Sequence, residues 1–198
     1  MPILTTREVQ DAARRAMGQS GQTKTAGAIL REAVNFSDLR REQGTKFDVF
    51  LSHSSQDANL VLGIKQLLED RKLTVYVDWI NDPQLDRSKV TPQTAATLRS
   101  RMKSCKSLFF VDTDNSISSK WMPWECGYFD AHSNEKVAII PVRDNAQSSY
   151  AGREFLGLYY YITFESVQGG GPGPWVRESE VSYASYQQWM QGSRFIPR

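Results

Sequence analysis

The chain has 198 residues, 40% of them hydrophobic and 23% charged, with a formal net charge of +2. These values fit one globular domain with an appendage and exclude wholesale disorder. No run approaches about 18 apolar residues, which excludes a membrane-spanning helix and leaves no membrane partner expected.

Residues 1–45 carry seven Lys or Arg against five acids, and the remainder carries seventeen of each. Without a basic stripe interleaved with aromatics, a nucleic-acid partner is not expected. The short basic run "LRSRMKSCK" reads as a solvated helix face. Two cysteines, Cys105 and Cys126, suit a reducing compartment and offer no metal-ligand spacing. The N-terminus has no continuous apolar core of a secretory signal, so a cytoplasmic location is expected.

In chain order, "TTREVQDAARRAMGQ" has a Thr cap and a helical rhythm at Val9, Ala12, Ala13 and Met17, and "KTAGAILREAV" repeats that texture. This predicts an N-terminal helical extension over 1–45. It is too small to bury a core of its own, so it must pack on the rest of the chain or on a partner. Residues 46–198 then form the main domain. "KFDVFLS" predicts a strand, "HSSQD" offers helix caps, and "ANLVLGIKQLLEDRK" has period 3.6. "LTVYVD" is a second strand and "WINDPQLDRSKVTP" a long polar loop. "QTAATLRSRMKSC" is a helix, "KSLFFVD" a third strand, "SISSKWMPWECGYFDAH" a helix, and "KVAIIPVRD" a fourth strand. "LGLYYYITF" is a fifth strand. After the breaker "GGGPGP", "WVRESEVSYASYQQWMQ" shows aromatics at helical spacing and predicts a closing helix. The alternation implies an α/β fold: a parallel sheet of about five strands with helices on both faces. Val49, Leu51, Val75, Val77, Phe110 and Ile139 should be buried in it.

In such folds ligands bind beyond the carboxyl ends of the strands. The residues there are Ser52, His53 and Ser54 after the first strand, Asp78 and Trp79 after the second, and Asp112 after the third, just before the helix carrying Trp121 and Glu125. Trp121 and Glu125 are four residues apart, one helical turn, so a flat ring and a carboxylate share a helix face. Pro123 is tolerated only in a first turn, which places Glu125 near the ligand-facing end. Trp121, Glu125, Tyr128 and His132 form one stripe, with Met122, Cys126 and Phe129 on a more core-like one. Trp124 is an alternative wall for the pocket. Ser54 and Ser55 serve equally well as plain helix caps, and His53 as a structural loop residue.

"FDVFLSHSSQD", then "VYVDW" with its polar loop, then Trp-x-x-x-Glu opening the helix after the third strand, resembles a Toll/interleukin-1 receptor (TIR) domain of the bacterial type, over roughly residues 46–165. The resemblance implies the flavodoxin-like order of that family, with Glu125 as the catalytic carboxylate and Trp121 as its aromatic companion. It implies NAD+ as substrate, with no separate cofactor: cleavage of the nicotinamide–ribose bond gives ADP-ribose or a cyclic isomer. It also implies self-association through TIR surfaces, a product read by a downstream effector, and a role in antiphage defence.

The chemistry suits one acid. Nicotinamide leaves from a cationic pyridinium and needs no protonation, so one carboxylate stabilising an oxocarbenium-like ribose suffices. Two other functions stay open on the sequence: a non-enzymatic TIR interaction module, and a nucleoside deoxyribosyltransferase-like enzyme, which also sets a glutamate against an N-glycosidic bond.

Overall fold

A computed structural model describes residues 3–19, 25–26, 28, 46–77, 91–145, 150–165, 173–192 and 195–197. Five parallel strands form its centre: β2 (Phe47–Ser52), β3 (Val75–Tyr76), β4 (Cys105–Asp112), β5 (Val137–Arg143) and β6 (Tyr160–Thr163). Their spatial order is β3-β2-β4-β5-β6. Counted along the chain, that is the 2-1-3-4-5 order of flavodoxin-like sheets, whose ligand crevice opens where the order reverses, between β2 and β4. A short strand, β1 (Leu4–Thr5), lies parallel to the far half of β5, pairing Leu4 with Val142, while β6 pairs with the near half at Ala138 and Ile139.

Alternation along the strands sends side chains into two cores. On one face Val49, Leu51, Val75, Phe109, Val111 and Ile140 pack under α1 (Thr6–Gln19), α2 (Ala58–Glu69) and α5 (Tyr186–Met190). On the other, Phe50, Leu108, Phe110 and Ile139 pack under α3 (Pro92–Lys103) and α4 (Trp121–Ser133). All six strand residues predicted to be buried are at most 6% exposed.

Thr5 and Glu8 bond reciprocally at the start of α1: Glu8 N–H donates to Thr5 Oγ1 and Thr5 N–H to Glu8 Oε2. This capping box satisfies two of the helix's orphan donors. The predicted apolar rhythm of α1 is buried at Val9, Ala12 and Ala13, against α2. The crossing is close because Gly63 has no side chain: a Cβ there would lie 2.0 Å from the Val9 carbonyl oxygen. Of the second predicted N-terminal helix only residues 25, 26 and 28 are among those described, Ala26 buried in the same core.

The closing segment differs from the sequence expectation. The residues predicted as one helix form β7 (Trp175–Arg177), β8 (Ser182–Ser185) and only then the short α5. β7 runs antiparallel beside β6, β8 antiparallel beside β7, and β9 (Ile196–Pro197) is outermost. The reason is Arg177, which is fully buried and donates to Thr163 Oγ1 at 2.8 Å, to the Glu180 carbonyl and to Glu165. The hairpin register satisfies that charge and covers the edge of β6, gains a free-standing helix lacks. The second strand is also shorter than its sequence pattern, and "GREFLGL" precedes β6 partly as a 3-10 turn, Glu154–Leu158.

Candidate active site

Ser52 closes β2, and its place in the alternation turns it toward α4 with Phe50 and Phe110 rather than toward α2. Asp112 closes β4. A capped 3-10 turn, Asp114–Ser118, then carries the chain to α4, where the Ser119 hydroxyl accepts from Met122 N–H at 3.3 Å. Pro123 sits in the first turn, where its missing N–H costs nothing.

Glu125, on the second turn of α4, has no solvent exposure. The Ser52 hydroxyl donates to its Oε2 at 2.6 Å. Trp121, one turn earlier, is 6% exposed and packs in the same core as Met122, Cys126 and Phe129. The predicted stripe is therefore divided. Trp121 and Glu125 belong to the buried arc, whereas Tyr128 and His132 line up with Trp124 on the outer side. Trp124 stacks on Tyr128 with centroids 5.6 Å apart, and Tyr128 lies 4.7 Å from His132. Tyr128 is one turn from Trp124 but two turns from Trp121, so it stacks on Trp124 although its angle on the helix is nearer to that of Trp121. Trp124 also meets Trp121 edge-on at 5.5 Å and lies under the Arg99 guanidinium.

His53 is fully buried, and its Nδ1–H donates to the Leu51 carbonyl at 2.7 Å. Ser54 accepts from Gln56 N–H, capping the 3-10 turn Ser55–Asp57 that leads into α2. Asp112 is occupied at both oxygens. Arg153 donates Nε and Nη2 to Oδ1 at 2.9 and 2.7 Å, and Arg143 Nη2 and the Tyr150 hydroxyl donate to Oδ2. Burial pushes the Asp112 carboxyl up, but the hydrogen bonds from Arg143 and Arg153 outweigh it and hold it below its ordinary value. Asp78 and Trp79 lie outside the described residues. The structure thus joins Ser52 to Glu125 beside Trp121, and ties Asp112 to Arg143, Arg153 and Tyr150, three residues that the sequence pattern does not single out. Each lies 31 to 41 positions from Asp112, with no local signal of the pairing.

A second anchor fixes the crevice on the α2 side. Asp57 accepts from Thr113 Oγ1 and Asn115 Nδ2, both at 2.6 Å, clamping the end of β2 to the turn after β4. Burial pushes the Cys126 thiol up to about 12, so the cysteine beside Glu125 is protonated and is no nucleophile. Among the described residues no group of three His, Cys, Asp or Glu is placed to hold a metal ion, and no helix is long and apolar enough to cross a membrane.

The arrangement is a buried carboxylate with a hydroxyl donor and an indole neighbour, at the point where the sheet order reverses. Comparison with known proteins agrees with the fold. The "Probable 3' cyclic ADP-D-ribose synthase ThsB'" of Bacillus cereus (strain MSX-D12) is 44% identical over 172 residues, covering 86% of each chain. The "Putative cyclic ADP-D-ribose synthase TIR2" of Cytobacillus dafuensis is 35% identical over 83 residues, 41% of this chain and 22% of that protein. The model of the TIR domain matches residues 49–170, which run from β2 past the end of β6. The chain belongs to the TIR domain family.

Proposed function

We propose that this chain cleaves NAD+ at the nicotinamide–ribose bond and closes the remaining ADP-ribose into a cyclic isomer. The observation that carries the proposal is Glu125: a buried carboxylate one turn after Trp121, at the crevice of the sheet. The relative with 44% identity, described as a cyclic ADP-ribose synthase, supports the reaction class.

The bond between ribose C1 and the pyridinium nitrogen breaks with its electron pair going to nitrogen, so nicotinamide departs neutral. Positive charge develops on the ribose, and Glu125 is the group to balance it, as a carboxylate does in glycoside hydrolysis. Trp121 supplies a rigid apolar wall beside that carboxylate. The ribose cation is then captured either by water, giving linear ADP-ribose, or by a nucleophile within the same molecule, which loses a proton if it is a hydroxyl. A carboxylate with no solvent exposure disfavours water and favours the internal capture. The same burial means that a dinucleotide reaches Glu125 only after the crevice opens. Self-association is the event proposed to open or complete it, and the product is proposed as a signal in antiviral defence.

Incubating the purified chain with NAD+ and separately with deoxynucleosides, with products identified by mass, tests this reading. Nicotinamide with a species one water lighter than ADP-ribose is expected. Base exchange on deoxynucleosides with NAD+ untouched would select the transferase reading, and no turnover of either would leave an interaction module.

A further inference from the structure

We infer that Ser52 is a positioning residue for this reaction: its hydroxyl holds the Glu125 carboxylate in its charged form and fixed orientation. The inference rests on the catalytic role proposed for Glu125, and extends it to a residue on a different element. Ser52 is the last residue of β2, fully buried, and in register with Phe110 of β4. The core on that face of the sheet includes Phe50, Phe110, Trp121 and Met122. Into that apolar setting β2 brings a hydroxyl that makes a 2.6 Å bond to Glu125 Oε2, across 73 positions of sequence. A serine hydroxyl turned into an apolar layer is costly unless it is bonded, and a buried carboxylate is costlier still. Each relieves the other.

The mechanical consequence comes from where the two groups are anchored. Glu125 has three side-chain torsions, and its carboxylate swings freely unless its end is held. Ser52 has one torsion, and its backbone is held in the sheet by pairing with Phe110 of β4, two residues beyond the last pair that β2 makes with β3. The hydrogen bond therefore transfers the rigidity of the sheet to the carboxylate on the helix. Such preorganisation matters most in the transition state, when the ribose acquires its charge. The chemical consequence is a donated O–H that stabilises carboxylate over carboxylic acid.

The test compares wild type with Ser52→Ala and Ser52→Cys in the full chain. Ala deletes the donor at nearly equal volume, and Cys keeps a weak one. Nicotinamide release is measured from pH 4 to 9. In parallel, the Glu125 carboxyl carbon is titrated by NMR, assigned by its loss in Glu125→Gln. For Ser52→Ala, the acid limb of kcat should move up by about one pH unit, as expected for one hydrogen bond to a charged group. kcat at neutral pH should fall about tenfold with KM within twofold of wild type, as for an interaction made in the transition state. Ser52→Cys should lie between, and the NMR titration should shift in the same direction. A purely structural serine would lower the melting temperature and leave both titrations in place. Titrations that stay put, or move to lower pH, overturn the inference. If the carboxyl titration shifts but wild type releases no nicotinamide, the Ser52–Glu125 coupling stands and the proposed reaction fails. If the Ala variant does not fold, the Cys variant decides by the same criteria.

Discussion

Trp121 and Glu125 stand one helical turn apart on α4, and both are turned into the protein, at 6% and 0% exposure. The pair is built into the wall of the sheet rather than displayed on a surface, with Met122 and Cys126 completing the buried arc. A buried acid beside an indole is poorly suited to protein docking and well suited to acting on a small molecule admitted to the crevice. Glu125→Gln keeps the shape and removes the charge. Nicotinamide release should fall by about a hundredfold or more, with the melting temperature unchanged or higher, since a buried charge is removed. Wild-type turnover in this variant would remove Glu125 from the mechanism.

Residues 78–90 come after β3 and carry Asp78, Asp82, Asp86, Arg87 and Lys89. The sequence pattern predicts a long polar loop over these positions, which lie outside the described residues, and loops of that length tend to serve function. If a neighbouring copy's loop completes the site, specific activity rises with protein concentration, because only assembled chains are competent. Replacing Asp86 and Arg87 together should reduce activity without unfolding the domain, and mixing that variant with Glu125→Gln should restore part of it. Specific activity that is flat over a thousandfold dilution, with no rescue on mixing, would assign a complete site to each chain.

Asp112 is fully buried, with guanidinium groups from Arg143 and Arg153 on its two oxygens. Its folded-state pKa is held below the ordinary 3.8. The carboxylate therefore contributes its full stability above about pH 4, and that contribution is lost as pH falls from there through the depressed folded-state value. Asp112→Asn leaves two cations facing a neutral group and should cost about 3 kcal/mol at pH 7, as for breaking a buried pair. Chemical denaturation as a function of pH should show a weaker acid dependence in the variant. An identical acid limb in both proteins would mean that Asp112 is not a source of the pH dependence.

Two glycines in helices make opposite predictions. A Cβ on Gly63 would lie 2.0 Å from the Val9 carbonyl oxygen, whereas one on Gly127 meets nothing within 4 Å. Both gain about 0.5–1 kcal/mol of helix propensity on substitution by Ala. For Gly127→Ala that gain is the whole effect, and the melting temperature should rise. For Gly63→Ala the forced separation of α1 from α2 should reverse it, with a net loss of about 1–3 kcal/mol. A rise in both would mean that the α1–α2 crossing yields without cost.

The alternation of apolar strands with period-3.6 helices is a local property, and the sequence alone determined from it the sheet class, the five parallel strands and the six buried strand residues. The position of Glu125 one turn after Trp121 was legible for the same reason: helical spacing depends on neighbours in the chain, not on the rest of the fold. Only tertiary structure decided which partners those groups meet. Ser52 reaches Glu125 across 73 positions and Arg153 reaches Asp112 across 41, separations at which no periodicity survives. The division of α4 into a buried arc and an outer Trp124–Tyr128–His132 stack depends on where the sheet lies relative to the helix, which its own spacing does not state. The same holds for residues 175–191, where aromatic spacing predicts a helix. The open edge of β6 and the need to satisfy a buried Arg177 supply a stronger, non-local preference for a hairpin, and the helix keeps only Tyr186–Met190.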